Sequence, residues 1–288
     1  MRVKKWQAFM AAAALCIATG FLYFIGSRQV EKDSAPETRQ SLVVSDGSPK
    51  KVLSRGVMEL AAQYVGASKS DPPSAARQYA YVASVYADVI NQGHSQKDAL
   101  VAVQEILKVL NPTNDVATDI NAVAAAYVVS PQSPQETTKP EVAAIIAEYT
   151  ARMSIDRHDV QWDGRIPQGS GKWVSSDGAP PLAPRAGEWK RWVLSGVPVV
   201  DAPPEVGSPE LEQELQTVRA ASQGRTDQIM ADVTAWSGIA GSETPAGIWQ
   251  TRLYDTIKTE LTNASGEADK VYANIQKHLA ITIADALM

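Results

Sequence analysis

From residue 52 onward, apolar side chains return at three- and four-residue steps, the spacing of one face of an α-helix, in segments divided by proline, glycine and capping residues. Val52, Leu60, Ala61, Tyr64 and Val65 mark a first short helix. After Asp71-Pro72-Pro73-Ser74 comes a run in which Ala76, Tyr79, Ala80, Val82, Ala83, Tyr86, Ala87 and Ile90 occupy so much of the helical surface that the segment is expected to be largely buried. Further helices are predicted over 97–110, over 114–129, and from Lys139-Pro140-Glu141 to about Ile155. The pattern then fails. Residues 156–207 are rich in Trp, Pro and Gly with little periodicity, and so long an aromatic-rich stretch without regular structure is expected to pack down on the helices. Ser208-Pro209 restarts helix, with Leu211, Leu215 and Val218 expected to face inward.

Residues 224–288 read as three more helices. Thr226 can cap one carrying Ile229, Val233 and Trp236, which Gly238 and Gly241 end. Thr244-Pro245 opens the next, because threonine can accept a free backbone N–H and proline at the first helical position gives up only an N–H that has no partner there. Its stripe is Ile248, Trp249, Leu253, Ile257 and Leu261. Ser265 can cap a third, bearing Ala268, Val271, Tyr272, Ile275, Leu279, Ile283, Ala286 and Leu287. That stripe still runs at Met288 with no Gly, Asn or basic residue to satisfy the last carbonyls, so further chain or another chain is expected to cover this end.

The N-terminus has a different pattern. Arg2, Lys4 and Lys5 precede an uncharged apolar run over 6–25, about the length that spans a bilayer, which places a signal anchor or transmembrane helix in 1–27 with its basic flank in the cytoplasm. An uncleaved single-pass anchor in the inner membrane is the favoured expectation, with the remainder facing the periplasm or exterior. Ala18-Thr19-Gly20 is a weak cleavage site followed directly by Phe21-Leu22-Tyr23-Phe24, and cleavage there would make the protein secreted. Residues 28–51 are polar and mixed in charge, the composition of a flexible tether, and the folded domain is placed at 52–288.

Composition narrows the field. With 44% hydrophobic and 20% charged residues among 288, the chain can bury a real core, and a net charge of −5 with no basic cluster beyond the N-terminus leaves no footprint for nucleic acid. Cys16 lies inside the apolar run, so the rest of the chain can form no disulfide, thiolate zinc site or cysteine nucleophile. No phosphate-binding glycine loop or nucleophile elbow is present, and no two of the three histidines have zinc-ligand spacing. His94 sits in a predicted turn. Arg157-His158-Asp159 could be drawn as a proton relay but reads more simply as a capped, solvated helix end, and His278 as a packing residue beside an apolar stripe. Asn263-Ala264-Ser265 fits a glycosylation acceptor as well as a cap. Asp88 and Asp285, each before an alanine in an apolar helix, need partners, and Arg77 or Arg225 could supply one.

The run Gly224-Arg225-Thr226, Gln228, Ala231 and Trp236, then Thr244-Pro245, Gly247, Trp249 and Ala284-Asp285-Ala286, resembles the vanadium-dependent haloperoxidase branch of the type 2 phosphatidic acid phosphatase superfamily. The prolines before Ala75-Ala76-Arg77, the Tyr86-Ala87-Asp88 run, and Gly171-Lys172-Trp173 with its proline-rich sequel are similar to the family's opening helix and connecting segment. The resemblance implies a mainly helical bundle of the haloperoxidase/acid phosphatase type. It also implies phosphate-ester hydrolysis, or vanadate-assisted, peroxide-dependent halide oxidation, in a pocket of cationic and N–H donors.

The family's site segments (a Lys followed by Arg-Pro, then Ser-Gly-His, then an Arg with a downstream His) are absent from this sequence. No catalytic, cofactor or metal residue is therefore assigned, vanadate is expected only where those segments are supplied, and the chain as written is expected to be inactive. The matching residues Arg77, Asp88, Trp173, Arg225, Thr226, Gln228, Trp236, Pro245, Trp249 and Asp285 are read as structural. The alternative is a non-enzymatic helical envelope protein that binds a protein partner or a second copy through the 268–287 face.

Overall fold

The computed structural model describes residues 52–127, 129, 137–158, 160–166, 169, 172, 174–175, 180–196, 202–223, 225–236, 244–263 and 267–287. The apolar run at 6–25, the tether at 28–51, Trp173 and the Gly224, Gly238 and Gly241 positions lie outside them. Residues Gly47–Met288 form one compact unit. Among the described residues the regular structure is helical, with no strand, and no helix is long and apolar enough to cross a membrane.

The helices are α1 (Leu53–Ser68), α2 (Pro72–Asn91), α3 (Gln96–Leu110), α4 (Val116–Ala126), α5 (Pro140–Ile155), α6 (Pro209–Ser222), α7 (Asp227–Trp236), α8 (Thr244–Asn263) and α9 (Ala268–Leu287), with a 3₁₀ turn at Ala186–Glu188. Their starts follow local chemistry. The Asp71 side chain accepts the Ser74 N–H ahead of the proline pair, Ser95 and Asp98 form a reciprocal capping box on α3, Asp115 caps α4, and Ser208 caps α6. Thr226 Oγ1 accepts the Ile229 N–H at 3.3 Å, as its position before α7 predicts.

Helix α2 is the axis of the unit. Every residue from Ala75 to Ala87 is buried, and the helix packs against α1, α3, α5, α8 and α9. A helix buried on all sides has no solvent face to offer, and its alanines let neighbouring backbones come close. The most extensive partner is α9, which runs antiparallel to it: Asn91 and Asn274 exchange side-chain amide hydrogen bonds at 2.7 and 2.9 Å, and one turn earlier on α2 Asp88 pairs with Lys277. Gly56 on α1 faces the Tyr127 ring so closely that a Cβ there would strike it, which fixes α1 against the end of α4.

Two expectations change. Part of the α9 stripe is covered, with Ala268 and Tyr272 buried in a cluster with Val52 ahead of α1 and Tyr254 and Leu261 of α8, while Val271, Ile275 and Leu287 are exposed. Helix α6 does not turn Leu211, Leu215 and Val218 inward: it contains no buried residue, and Leu215 and Val218 are exposed. An amphipathic stripe reports that a helix has an apolar side, but whether anything covers that side depends on the rest of the molecule.

Candidate functional site

Four aspartates organise the polar interior, and each is held by groups from other elements. Asp156, directly after α5, accepts Arg77 Nε at 2.5 Å and the Tyr81 hydroxyl at 2.8 Å on Oδ2, and the His158 backbone N–H at 3.1 Å on Oδ1. Only 10% of the Arg77 side chain and 4% of that of Asp156 remain exposed, so this ion pair lies in the interior and depends on its added hydrogen bonds to offset desolvation. Burial, with the Asp156 carboxylate beside it, pushes the Tyr81 phenol well above its ordinary value.

Asp285 lies near the end of α9. Its Oδ1 accepts the Trp192 N–H at 2.6 Å, and its Oδ2 accepts the N–H groups of Val193 and Leu194 at 2.8 and 2.9 Å. Three successive backbone N–H groups converging on one acceptor make an anion nest, and here the anion is a side chain of the protein itself. Arg191 donates to the Asp285 carbonyl at 3.2 Å. Arg152 of α5 donates to the carbonyls of Lys190 and Arg191 and lays its guanidinium 4.0 Å from the centre of the Trp192 ring. Trp192 in turn meets Tyr81 edge-on at 4.9 Å and lies 6.4 Å from Tyr149.

Asp88 on α2 is half-buried, accepts the Tyr149 hydroxyl at 2.5 Å, and pairs with Lys277 of α9. Burial and this carboxylate raise the Tyr149 phenol. Asp269, at the start of α9, takes four donors: Ser54 N–H and Oγ, both at 2.8 Å, Tyr86 at 2.6 Å and Gln96 at 2.9 Å. Val52 at the head of α1 provides no side-chain cap, so Asp269 caps α1 from another helix.

Three of the residues singled out in the sequence are therefore brought together. Arg77, Asp88 and Asp285 meet around Tyr81, Tyr149 and Trp192. Arg77 pairs with Asp156 rather than with Asp88 or Asp285. Arg225, the other candidate partner, is exposed, with its guanidinium 4.0 Å from Met230 Sδ. The remaining matches gather elsewhere. Gln228 is exposed on α7, Trp236 packs 5.4 Å from Trp249 with Arg252 over its ring, and Pro245 sits half-buried in the first turn of α8 beside Thr244, whose φ is 63°. Trp249 is 45% exposed.

The histidines assemble no relay. His94 occupies the turn between α2 and α3, and His278 is exposed with Nδ1 2.7 Å from the Asn274 carbonyl. His158 lies 4.9 Å from Trp189 and 3.4 Å from Ser74 Oγ, but the Ser74 hydroxyl is within 3.0 Å of Asp71 as part of the α2 cap. Arg157, in the left-handed region, pairs with Glu188, and Asp159 lies outside the described residues. Among the described residues no group of His, Cys, Asp or Glu could hold a metal ion.

A tetrahedral oxyanion does not fit the described residues of this network. The backbone nest at 192–194 is filled by Asp285, and Arg77, the nearest buried cation, is neutralised by Asp156. Among the described residues, the carboxylates and phenols of this network are bound to groups on other elements, an arrangement that holds those elements in place. Asp156, Asp269, Tyr81, Tyr149 and Trp192 went unnoticed in the sequence as members of this network. Asp156 and Asp269 stand at helix ends, where an acidic residue is ordinary, and only the pairing of buried tyrosines with aspartates gives a signal in retrospect. Compared with known proteins, the chain matches no family model, no curated protein and no solved structure.

Proposed function

We propose that this chain forms the N-terminal helical scaffold of a phosphatase- or haloperoxidase-like protein, held at the inner membrane through residues 6–25 with its domain facing the periplasm or exterior, and that it has no chemistry of its own. One observation carries the reading. Arg77, Asp88 and Asp285, singled out because they resemble the family pattern, are up to 208 positions apart in the chain and join one connected polar and aromatic network. Their common membership of this network is what supports the reading.

In this reading the scaffold sets helix positions, and an oxyanion pocket requires cationic and N–H donors beyond those seen here. The test is to assay the 288-residue chain, alone and extended by whatever coding sequence follows it, for p-nitrophenyl phosphate hydrolysis and for vanadate- and peroxide-dependent bromination. The expected result is silence from the chain alone and activity from the extended form, with the active assay identifying the branch. An extended form that folds and stays silent in both assays would remove the enzyme reading in favour of a helical envelope binding protein. The exposed apolar stripe of α6 is the observation that favours that second reading.

A further inference from the structure

We propose that the turn at 191–194 is a carboxylate-binding site built by α2 and α5, and that Asp285 of α9 is its exchangeable internal ligand. The inference does not depend on the enzymatic reading. It rests on what the turn binds and on which elements hold it in shape.

The ligand chemistry is read from the occupant. One oxygen of the Asp285 carboxylate accepts the Trp192 N–H at 2.6 Å, and the other accepts those of Val193 and Leu194 at 2.8 and 2.9 Å, so main-chain donors engage both oxygens of a planar group. The side chains of Val193 and Leu194 take no part and are exposed. A carboxylate on another molecule would meet the same three donors there.

The shape of the turn comes from the other side. Arg152 of α5 donates to the Lys190 and Arg191 carbonyls at 3.1 and 2.9 Å, and the Lys190 N–H donates to the Asp156 carbonyl, directly after α5, at 3.0 Å. Trp192 meets Tyr81 of α2 edge-on and lies against the Arg152 guanidinium. None of these contacts involves α9. They fix the carbonyl side of the turn while its N–H groups converge on one place, the preorganisation that favours an anion. The Arg152 hydrogen bonds go to carbonyls and not to a carboxylate, so its charge, beside Trp192, favours a negative occupant. Helix α9 thus reaches the turn as a carboxylate-tipped latch.

The test uses the full chain in detergent micelles and formate, which supplies the carboxylate that Asp285→Ala removes. Amide exchange at 192–194 is expected to accelerate at least about tenfold in Asp285→Ala and to return to within about twofold of the parent rate in about 0.1 M formate. The recovery should saturate, be absent in sodium chloride of equal ionic strength, and be weaker in phosphate, whose oxygens do not lie in one plane. Formate should leave the parent chain unchanged, because Asp285 already fills the turn. In Asp285→Ala combined with Arg152→Leu the turn loses its support, and formate is expected to give no recovery. Fast exchange that formate does not slow, equal recovery in chloride or phosphate, a parent chain that responds as the variant does, or a formate response that survives Arg152→Leu would each overturn the proposal. An Asp285→Ala chain that folds neither with nor without formate would overturn it as well.

Discussion

Tyr64, Tyr81, Tyr86 and Tyr149 each donate their phenol to an aspartate from another helical element: Asp119, Asp156, Asp269 and Asp88. A phenol is well suited to this task, because its ring adds apolar burial and its hydroxyl satisfies a carboxylate that the interior would otherwise penalise. Removing one donor and removing the acceptor should have unequal effects. Tyr86→Phe takes one charge-assisted hydrogen bond from Asp269 and is expected to cost about 2 kcal/mol. Asp269→Ala strands Tyr86 and Gln96 and uncaps α1 at Ser54, and is expected to cost about 3–5 kcal/mol. Urea midpoints of the two variants check the order, and equal midpoints would contradict it.

The same tyrosines set a limit at alkaline pH. Burial, reinforced at Tyr64, Tyr81, Tyr86 and Tyr149 by the paired aspartate, raises their phenols and those of Tyr127 and Tyr272, with Tyr127 pushed up to about 12. A folded-state value above the unfolded one means that the stability contribution is complete below about pH 10 and is lost as pH rises beyond it, by about 1.4 kcal/mol per pH unit for each such tyrosine. Circular dichroism and phenolate absorbance should therefore change together in one steep alkaline transition. Tyrosines that ionise near pH 10 while the helices persist would show that these phenols are not held as described.

Among the elements, the attachment of the irregular segment is the least conventional. Residues 189–196 contribute no regular structure to the fold, yet Asp285 holds three of their N–H groups and Arg152 two of their carbonyls. Asp285→Ala should release this segment from α9, with amide exchange at 192–194 accelerating at least about tenfold and stability falling by about 2–4 kcal/mol. Thr282→Ala, exposed on the same helix, should change stability by less than about 0.5 kcal/mol. If the amides at 192–194 stay protected in Asp285→Ala, the nest is not what fixes the segment.

Helix positions were legible in the sequence because punctuation is local. Pro72-Pro73, Pro140, Ser208-Pro209 and Thr226 start helices where their chemistry says they should, and the crowding of apolar residues on α2 foretold its burial. Partners were not legible in the same way. Arg77 needed a carboxylate, but whether Asp88, Asp285 or Asp156 supplied it depends on how α5 ends against α2. The apolar side of α6 was legible too, and its exposure was not, since a helix carries no record of whether a neighbour arrives.

At the scale of the molecule, α2 is enclosed by helices from both ends of the described chain, and α9 is its largest cover. A protein ending at residue 263 would lose that cover together with Lys277, Asp269 and Asp285. It would expose the face of α2 that meets Ala273, Ala280 and Ala284. Such a truncation is expected to keep much of its far-ultraviolet helical signal while losing near-ultraviolet signal and binding a hydrophobic dye. Retention of a sharp, cooperative thermal transition would show that α9 is dispensable to the core.

The pairing of α2 with α9 also orders events in time. A ribosome adding about 5–20 residues per second finishes α2 roughly ten to forty seconds before α9 is complete. Throughout that interval the most deeply buried helix of the described fold lacks its main neighbour. The nascent chain must therefore be shielded by a holding factor or kept extended until synthesis is nearly over, and a slow codon placed after α2 would lengthen its most aggregation-prone moment.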